Sequence, residues 1–258
     1  MDFQSVETNL RESFRVLAAH RPAGELREME GVSIASAGVA FQMFNAAFLS
    51  APVSSELQMD RRVAQAAVHF AARGQSWAYW ICEGWLENRT RRRLNQLFRK
   101  HNLYQAVELP GMVAECVLPA FRDLPYVDVR RVSSEPVKDA FCAIGSMCFN
   151  VPLSWFREVF EADSVWKDFA GYVGYVEGEP VSTAATVIGG GAVGVYNVAT
   201  LPGHQRRGYG EAVMRHALEQ ARLEHGISRT ILQATPQGFE LYQRMGYRTV
   251  TSVTVFCS

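Results

Sequence analysis

The feature that most constrains the fold of this chain is a predicted strand, a glycine-containing loop and an amphipathic helix in direct succession. Residues 192–199 are largely apolar and rich in valine, as expected of a strand. Pro202 and the glycine after it end this strand. Helical spacing of apolar residues then extends over Tyr209–His225, and Gly226 supplies a C-terminal stop. The apolar positions of this helix are Val213, Met214, Ala217, Leu218 and Ala221.

The sequence around this unit continues the alternation of strands and helices. Further strands are predicted at 126–132, 169–176, 181–188, 230–234 and 247–256, and further helices at 135–149 and 238–245. The order in this half is strand, helix, three strands, helix, strand, helix, strand. It predicts an α/β (α+β) fold with a mixed, twisted sheet flanked by helices.

A weak internal repeat extends this prediction to the first half of the chain. At an offset of 152 residues, Phe44-Asn45 aligns with Tyr196-Asn197, and after eight extra residues 97–102 aligns with 241–246. We therefore predict two tandem domains of the same fold, 1–123 and 124–258, joined near Pro125. The alternative is a chance alignment of two unrelated α/β halves.

Charge and composition exclude some classes of function. Residues 1–130 carry 15 basic and 14 acidic side chains, and 131–258 carry 11 and 12. Neither half has the basic excess that binds a phosphate backbone, so nucleic acid is not an expected partner. The first twenty residues lack the apolar core of a signal peptide, and no stretch is apolar enough to span a membrane. We expect a cytoplasmic protein, a monomer or a homodimer, without a membrane partner.

The five cysteines are scattered, without a C-x-x-C pair or histidines at ligand spacing. They predict neither a disulfide framework nor a metal site. They are Cys82, Cys116, Cys142, Cys148 and Cys257.

The loop before the amphipathic helix is a candidate phosphate site. The N-terminus of a helix carries unpaired N–H groups and a partial positive charge, which together attract anions. Gly208 and Gly210 would let the main chain approach a phosphate closely. Arg206 and Arg207 add positive charge. Gly210 lies 32 residues before Tyr242, which is within a Leu-Tyr-Gln-Arg-Met-Gly-Tyr segment.

The strand, the loop and the tyrosine segment together resemble the GNAT acetyltransferase superfamily over roughly 126–256. The resemblance implies acetyl-CoA as co-substrate and N-acetyl transfer to a small-molecule or peptide amine. Implied contacts to the cofactor come from Val198, Ala199, Thr200, Gln205, Arg206, Arg207, Gly208, Tyr209, Gly210 and Glu211. The sequence departs from the family in having Thr235 and Gly238 where Asn and Ala are common. Thr235 remains a candidate contact through its hydroxyl.

The resemblance also implies catalytic roles. Tyr242 is the candidate acid for the leaving thiolate, and the backbone N–H of Val198 is a candidate to polarise the thioester carbonyl. No general base stands out among Glu177, Glu179 and Glu240, and a water relay is equally plausible. His204 is interpreted as an exposed loop residue, with phosphate contact as the alternative. The aromatic residues Phe149, Trp155 and Phe156 belong either to the core or to an acceptor pocket.

The first half lacks the features of the loop. Residues 53–58 stand at the position of the phosphate loop without its glycines, and Phe98 stands at the position of Tyr242. We expect this half to be degenerate, serving as scaffold, pocket wall or partner surface, with one acetyl-CoA site per chain. Two other functions stay open: an acyl-CoA-binding regulator without turnover, and a tRNA-dependent aminoacyl transferase.

Overall fold

The computed structural model describes residues 2–258 and contains one sheet of eleven strands. The strands are β1 (Glu25–Met29), β2 (Val32–Ser36), β3 (Asn45–Leu49), β4 (Ala78–Cys82), β5 (Tyr104–Ala114), β6 (Asp128–Arg131), β7 (Phe169–Val176), β8 (Glu179–Gly189), β9 (Ala192–Thr200), β10 (Thr230–Gln233) and β11 (Arg248–Cys257). The helices are α1 (Asp2–Ala19), α2 (Glu56–Ala71), α3 (Asn88–Arg91), α4 (Leu94–Arg99), α5 (Glu135–Phe149), α6 (Leu153–Val159), α7 (Tyr209–His225) and α8 (Pro236–Arg244).

The two halves of the chain exchange their last strands at the centre of the sheet. The strand order is β1-β2-β3-β4-β11-β5-β10-β9-β8-β7-β6. The last strand of the second half, β11, therefore pairs with β4, and the last strand of the first half, β5, pairs with β10. The two exchanged strands also pair antiparallel with each other along almost their whole length. The sheet is thus continuous across both halves.

Side chains alternate between the two faces of this sheet, and each face is covered by helices. On the face of α2, α4, α7 and α8, the core includes Tyr79, Phe98, Met112 and Leu232. On the other face, it includes Phe48 and Val253 beneath α1 and Val173 and Val187 beneath α5 and α6. The resulting architecture is the mixed α/β sheet flanked by helices that the sequence predicted.

Helix α1 lies across the centre of the sheet and contacts both halves. Its buried residues Val6, Leu10 and Phe14 pack with Phe48 of the first half and Ile231 of the second. Apolar residues at positions 6, 10, 14 and 17 form one helical face, which accounts for this burial.

Asn9 fixes α1 to the hairpin between β8 and β9. Its side-chain nitrogen donates to the carbonyl oxygens of Val187, Gly189 and Ala192 at 3.1, 2.9 and 3.0 Å. Its Oδ1 accepts a hydrogen bond from the phenol of Tyr196 at 2.7 Å. Both the amide nitrogen and the amide oxygen of this fully buried side chain are therefore hydrogen-bonded, and they join a helix of the first half to strands of the second.

The predicted elements of the second half all form within a few residues of their expected bounds. The sequence did not predict α6 or the short 3-10 helix at Asp163–Lys167. In the first half, strands and helices follow one another at the positions that the 152-residue offset predicts for β3, α2 and β4. The domain boundary at 123/124 stays a prediction. Among residues 2–258, no helix is both long and apolar enough to cross a membrane.

Candidate functional site

Strands β9 and β10 pair at only one end, which opens a gap in the sheet. Their parallel pairing is limited to Thr230↔Val193 and Ile231↔Gly194, although β9 continues to Thr200. The other edge of β10 is held by β5 as far as Gln233. The second part of β9 therefore diverges from β10 and leaves one edge of each strand facing the gap.

An irregularity in β9 marks the point where the gap opens. Pairing with β8 shifts between Thr183 and Ala185, so that two residues, Asn197 and Val198, lie opposite Ala184. Asn197 has a φ of 49°, a left-handed conformation that asparagine tolerates better than most residues. Its carbonyl oxygen accepts a hydrogen bond from the Thr183 hydroxyl at 2.8 Å. This bulge turns the main chain around Val198 toward the gap.

The loop that follows β9 depends on its glycines. Gly208 has a φ of 92°, which a residue with a side chain rarely adopts, and it immediately precedes α7. A Cβ atom on Gly210 would lie 2.8 Å from the Thr200 hydroxyl oxygen, so the first turn of α7 packs directly on the end of β9. The Gln205 side chain donates to the Thr200 carbonyl oxygen at 3.0 Å and fixes the loop to the same strand end.

The N-termini of α7 and α2 differ in a way that bears on ligand binding. In α2 the Ser55 hydroxyl oxygen accepts a hydrogen bond from the backbone N–H of Gln58 at 3.2 Å. Within residues 2–258, no side chain caps α7, whose preceding residue is Gly208. The first N–H groups of α7 are therefore left for a bound anion, whereas those of α2 are partly satisfied within the protein.

A cavity of about 440 Å³ lies between this helix end, the gap and α8, and we call it the cofactor cavity. Of the residues that the sequence proposed for cofactor contact, the cavity is lined by Val198, Ala199, Thr200, Gln205, Arg206, Gly208, Tyr209, Gly210, Glu211 and Thr235. The exposed Arg207 does not line it. Residues of the wall that the sequence did not single out are Arg122, Cys148, Gln237, Leu241 and Arg244.

Positive charge dominates the rim of the cofactor cavity. Arg122 and Arg206 both line it, and neither forms an ion pair with another residue of the described chain. The acidic residue of the wall, Glu211, is neutralised by Arg215 at 2.8 Å. Arg122 comes from the segment that joins the two halves, where no periodic pattern drew attention to it. The rim can therefore accept an anionic group such as a pyrophosphate.

His204 is half-buried in the wall of the same cavity. Its Nδ1 is buried and has no hydrogen-bond partner within residues 2–258. A buried, unpaired ring nitrogen beside an anion site favours the phosphate-contact interpretation over that of a solvated loop residue.

Tyr242 lies at the inner end of the cofactor cavity on α8. Only 7% of its surface is exposed, and burial raises the pKa of its phenol to about 12. The phenol is therefore protonated throughout the physiological pH range and can donate a hydrogen bond. Thr235, at the position preceding α8, does not use its side chain as a helix cap.

A second cavity of about 440 Å³, which we call the apolar cavity, meets the cofactor cavity at this point. Phe149, Val198, Thr235 and Tyr242 line both. Phe149 and Phe156 line the apolar cavity, and the buried Phe156 also belongs to the hydrophobic core, so both sequence interpretations stay open. Trp155 stacks on Phe41 with ring centroids 5.7 Å apart and does not line it.

The three candidate bases lie away from both cavities. Glu177 and Glu179 are exposed at the turn between β7 and β8. The side chain of Glu240 is 85% exposed and faces Arg244 at 4.0 Å. None of the three lines the cofactor cavity or the apolar cavity.

The corresponding gap in the first half is closed. Beyond the parallel pairing of β3 with β4, an isolated bridge joins Val53 to Leu86, and the Val53 N–H donates to the Trp85 carbonyl oxygen at 2.9 Å. Phe98, at the position corresponding to Tyr242, is fully buried and stacks on Phe256 with ring centroids 4.0 Å apart. The absence of a cofactor site in this half stays a prediction.

Part of the chain is similar to a known protein family. Residues 167–249 match the family model described as an acetyltransferase (GNAT) domain. This range includes β7 to β10, the loop, α7 and α8. A search of curated proteins gave no match.

Solved structures with the same fold match nearly the whole chain. A GCN5-related N-acetyltransferase from Kribbella flavida is 18% identical with a TM-score of 0.71, and the match covers 96% of this chain and 94% of that one. A functionally unknown conserved protein from Staphylococcus epidermidis is 14% identical with a TM-score of 0.66, covering 91% and 94%. A GCN5-related N-acetyltransferase from Sphaerobacter thermophilus is 12% identical with a TM-score of 0.53, covering 88% and 80%. These likenesses show the fold of both halves.

Proposed function

We propose that this chain, in which residues 167–249 form an acetyltransferase (GNAT) domain, transfers the acetyl group of acetyl-CoA directly to an amine. The observation that carries the proposal is the meeting of the two cavities at Val198 and Tyr242. One cavity has an uncapped helix end and unpaired arginines, and the other has an apolar wall. Groups bound in the two cavities would therefore meet beside the phenol of Tyr242.

The cofactor cavity suits the chemistry of acetyl-CoA. Backbone N–H groups of α7, together with Arg122 and Arg206, would bind the pyrophosphate. The free edge of β9 at Val198 and Thr200 would pair with the amide groups of the pantetheine arm, since strand edges carry unpaired N–H and C=O groups. Acetyl-CoA supplies an activated acyl group on a thiol that can leave.

Two groups of the protein would then assist the transfer. The backbone N–H of Val198, at the bulge, is proposed to donate to the thioester oxygen and stabilise the negative charge that develops there. The Tyr242 phenol would donate its proton to the departing sulfur and recover one from the amine nitrogen through water. The C–S bond breaks as the N–C bond forms, and one proton passes from nitrogen to sulfur.

The two alternative functions, a regulator without turnover and a tRNA-dependent aminoacyl transferase, predict different results. A regulator without turnover would bind acetyl-CoA and release no free thiol with any amine. A tRNA-dependent aminoacyl transferase would need a basic surface for nucleic acid, which the nearly equal acidic and basic counts of each half do not favour.

The decisive test is release of free thiol from acetyl-CoA in the presence of a panel of amines, amino acids, aminoglycosides and peptides. We expect amine-dependent release that is lost when the amine is acetylated in advance. Tight binding of acetyl-CoA with no release across the panel would favour the regulator instead.

A further inference from the structure

The apolar cavity has a lining that restricts which amines can enter it. We propose that it binds an acceptor whose amine is carried by an aromatic or similarly apolar group and that has no other charge. This inference rests on the proposed function, because it places the acceptor beside the acetyl group. It adds a substrate class that the acetyltransferase fold does not specify.

Aromatic rings form much of the wall. They are contributed by both halves of the chain and include Phe14, Phe44, Trp80, Phe156, Phe169 and Tyr196. Two pairs of wall residues contact edge to face: Phe14 with Trp80 at a centroid distance of 5.0 Å, and Phe41 with Phe44 at 5.5 Å. A planar apolar group would extend this packing, since aromatic pairs favour such offset and edge arrangements. The volume of about 440 Å³ is adequate for a small organic molecule.

The wall carries no acidic or basic side chain among the residues that the structure describes. Moving a charged group from water into such a cavity is costly unless it is paired. A polycation such as an aminoglycoside or a lysine-rich peptide would leave several charges unpaired there. A single ammonium can instead lie against the ring faces and lose its proton, because burial favours the neutral amine.

The position of the cavity orients such an acceptor. Four residues, Phe149, Val198, Thr235 and Tyr242, line both cavities, so the amine would enter at the end where the acetyl group is expected. The aromatic group would then lie against the rest of the wall, to which α1 contributes Leu10 and Phe14.

Gln233 contributes a polar side chain to the wall of the apolar cavity. Its Nε2 is buried and has no hydrogen-bond partner in residues 2–258. A buried donor without a partner indicates a ligand atom that accepts its hydrogen bond. We assign Gln233 as a specificity-determining residue that contacts an oxygen or nitrogen of the acceptor.

The first half of the chain contributes part of this wall through Phe41, Phe44, Trp80 and Leu109. Trp80 is fixed by a hydrogen bond from its Nε1 to the Met43 carbonyl oxygen at 3.2 Å. The half that lacks a cofactor gap thus takes part in acceptor recognition.

The test compares acceptors of similar size and different charge. We expect kcat/KM for 2-phenylethylamine, tryptamine and 4-methoxyaniline to exceed that for spermidine, lysine and kanamycin by about tenfold or more. Binding of 2-phenylethylamine is measured separately by calorimetry in the presence of CoA. Binding without thiol release would contradict the proposed function and leave the assignment of the cavity in place. Equal or better turnover of the polycations would overturn the assignment alone.

A charge placed in the wall supplies a sharper comparison. Leu109 is half-buried and lines the apolar cavity without lining the cofactor cavity. We expect Leu109→Asp to lower kcat/KM for 4-methoxyaniline about tenfold, and the matched, uncharged Leu109→Asn to lower it much less. The Kd of acetyl-CoA, expected to be unchanged in both, verifies the fold. Equal effects of the two variants would overturn the role of charge.

The assignment of Gln233 is tested with Gln233→Leu, which has a similar volume and no donor. We expect the KM of the best aromatic acceptor to rise about tenfold while the Kd of acetyl-CoA stays the same. An unchanged KM for every aromatic acceptor would show that Gln233 does not contact the substrate.

Discussion

A Cβ atom on Gly238 would lie 2.6 Å from Cε2 and 3.1 Å from the phenolic oxygen of Tyr242. The ring of Tyr242 thus packs over the glycine one helical turn earlier, and the absent side chain sets the position of the phenol. We expect Gly238→Ala to displace the phenol and lower kcat about tenfold. Thiol release at saturating amine measures this effect. Unchanged kcat would show that the phenol tolerates displacement.

The second prediction concerns the phenol itself. We expect Tyr242→Phe to lower kcat by about a hundredfold or more, as for loss of a general acid, with little change in the Kd of acetyl-CoA. Calorimetry gives the affinity and thiol release gives the rate. Equal turnover of the variant and the parent chain would remove Tyr242 from the mechanism.

The pKa of Tyr242 gives a prediction about pH. Burial raises it to about 12 from an ordinary value of 10.0, because the phenolate loses hydration. The resulting contribution to stability is complete below pH 10 and is lost as pH rises through 12. We expect no loss of turnover from ionisation of this phenol between pH 7 and 10. Tyrosinate absorbance, compared between the parent chain and Tyr242→Phe, measures the ionisation directly. A difference that appears near pH 10 would contradict the expectation.

Arg122 and Arg207 form a matched pair for testing the cofactor cavity. Both are exposed, but Arg122 lines the cavity and Arg207 does not. We expect Arg122→Gln to raise the Kd of acetyl-CoA about threefold to tenfold and Arg207→Gln to leave it nearly unchanged. The difference should shrink at high salt. Equal effects of the two variants would indicate general charge attraction to the loop.

Periodicity and turn residues made the second half of the chain predictable. The helix Tyr209–His225 has a clear apolar face and a terminal glycine, and its predicted bounds agree with the structure. The loop residues that line the cofactor cavity follow from the same pattern, because a glycine-containing turn before such a helix is a candidate anion site. Local rules were sufficient for this part of the cavity wall, since the residues from Val198 to Glu211 that line it lie close together in the sequence.

The contacts between the halves were not predictable in the same way. Arg122 reaches the cofactor cavity from the connecting segment, and Phe44 and Trp80 reach the apolar cavity from strands far away in sequence. The exchange of β5 and β11 depends on pairing preferences between distant strands, which no local pattern encodes. The sequence around Asn9 also gave no indication that this residue joins α1 to strands of the second half.

The hydrogen bonds of Asn9 give a prediction about the stability of the fold. Replacing Asn9 with Ala removes a hydrogen-bond donor to three carbonyl oxygens and an acceptor for the Tyr196 phenol. We expect the free energy of unfolding to fall by about 3 kcal/mol, since buried polar groups left unpaired are costly. Urea denaturation measures it, with the partly exposed Glu12→Gln on the same helix as control. Equal midpoints for the two variants would show that α1 is held by its apolar face alone.

The final prediction is one acetyl-CoA per chain, although the strands and helices repeat. In the first half, the Val53 bridge to Leu86 closes the gap between strands, and the Ser55 hydroxyl occupies a helix N–H that a phosphate would need. In the second half, β9 and β10 diverge and Gly208 leaves the N-terminus of α7 uncapped.

Calorimetric titration should therefore give a stoichiometry of one. Gly208→Val, which a φ of 92° disfavours, should abolish binding without exposing a second site. A stoichiometry of two would mean that the first half opens a cleft of its own.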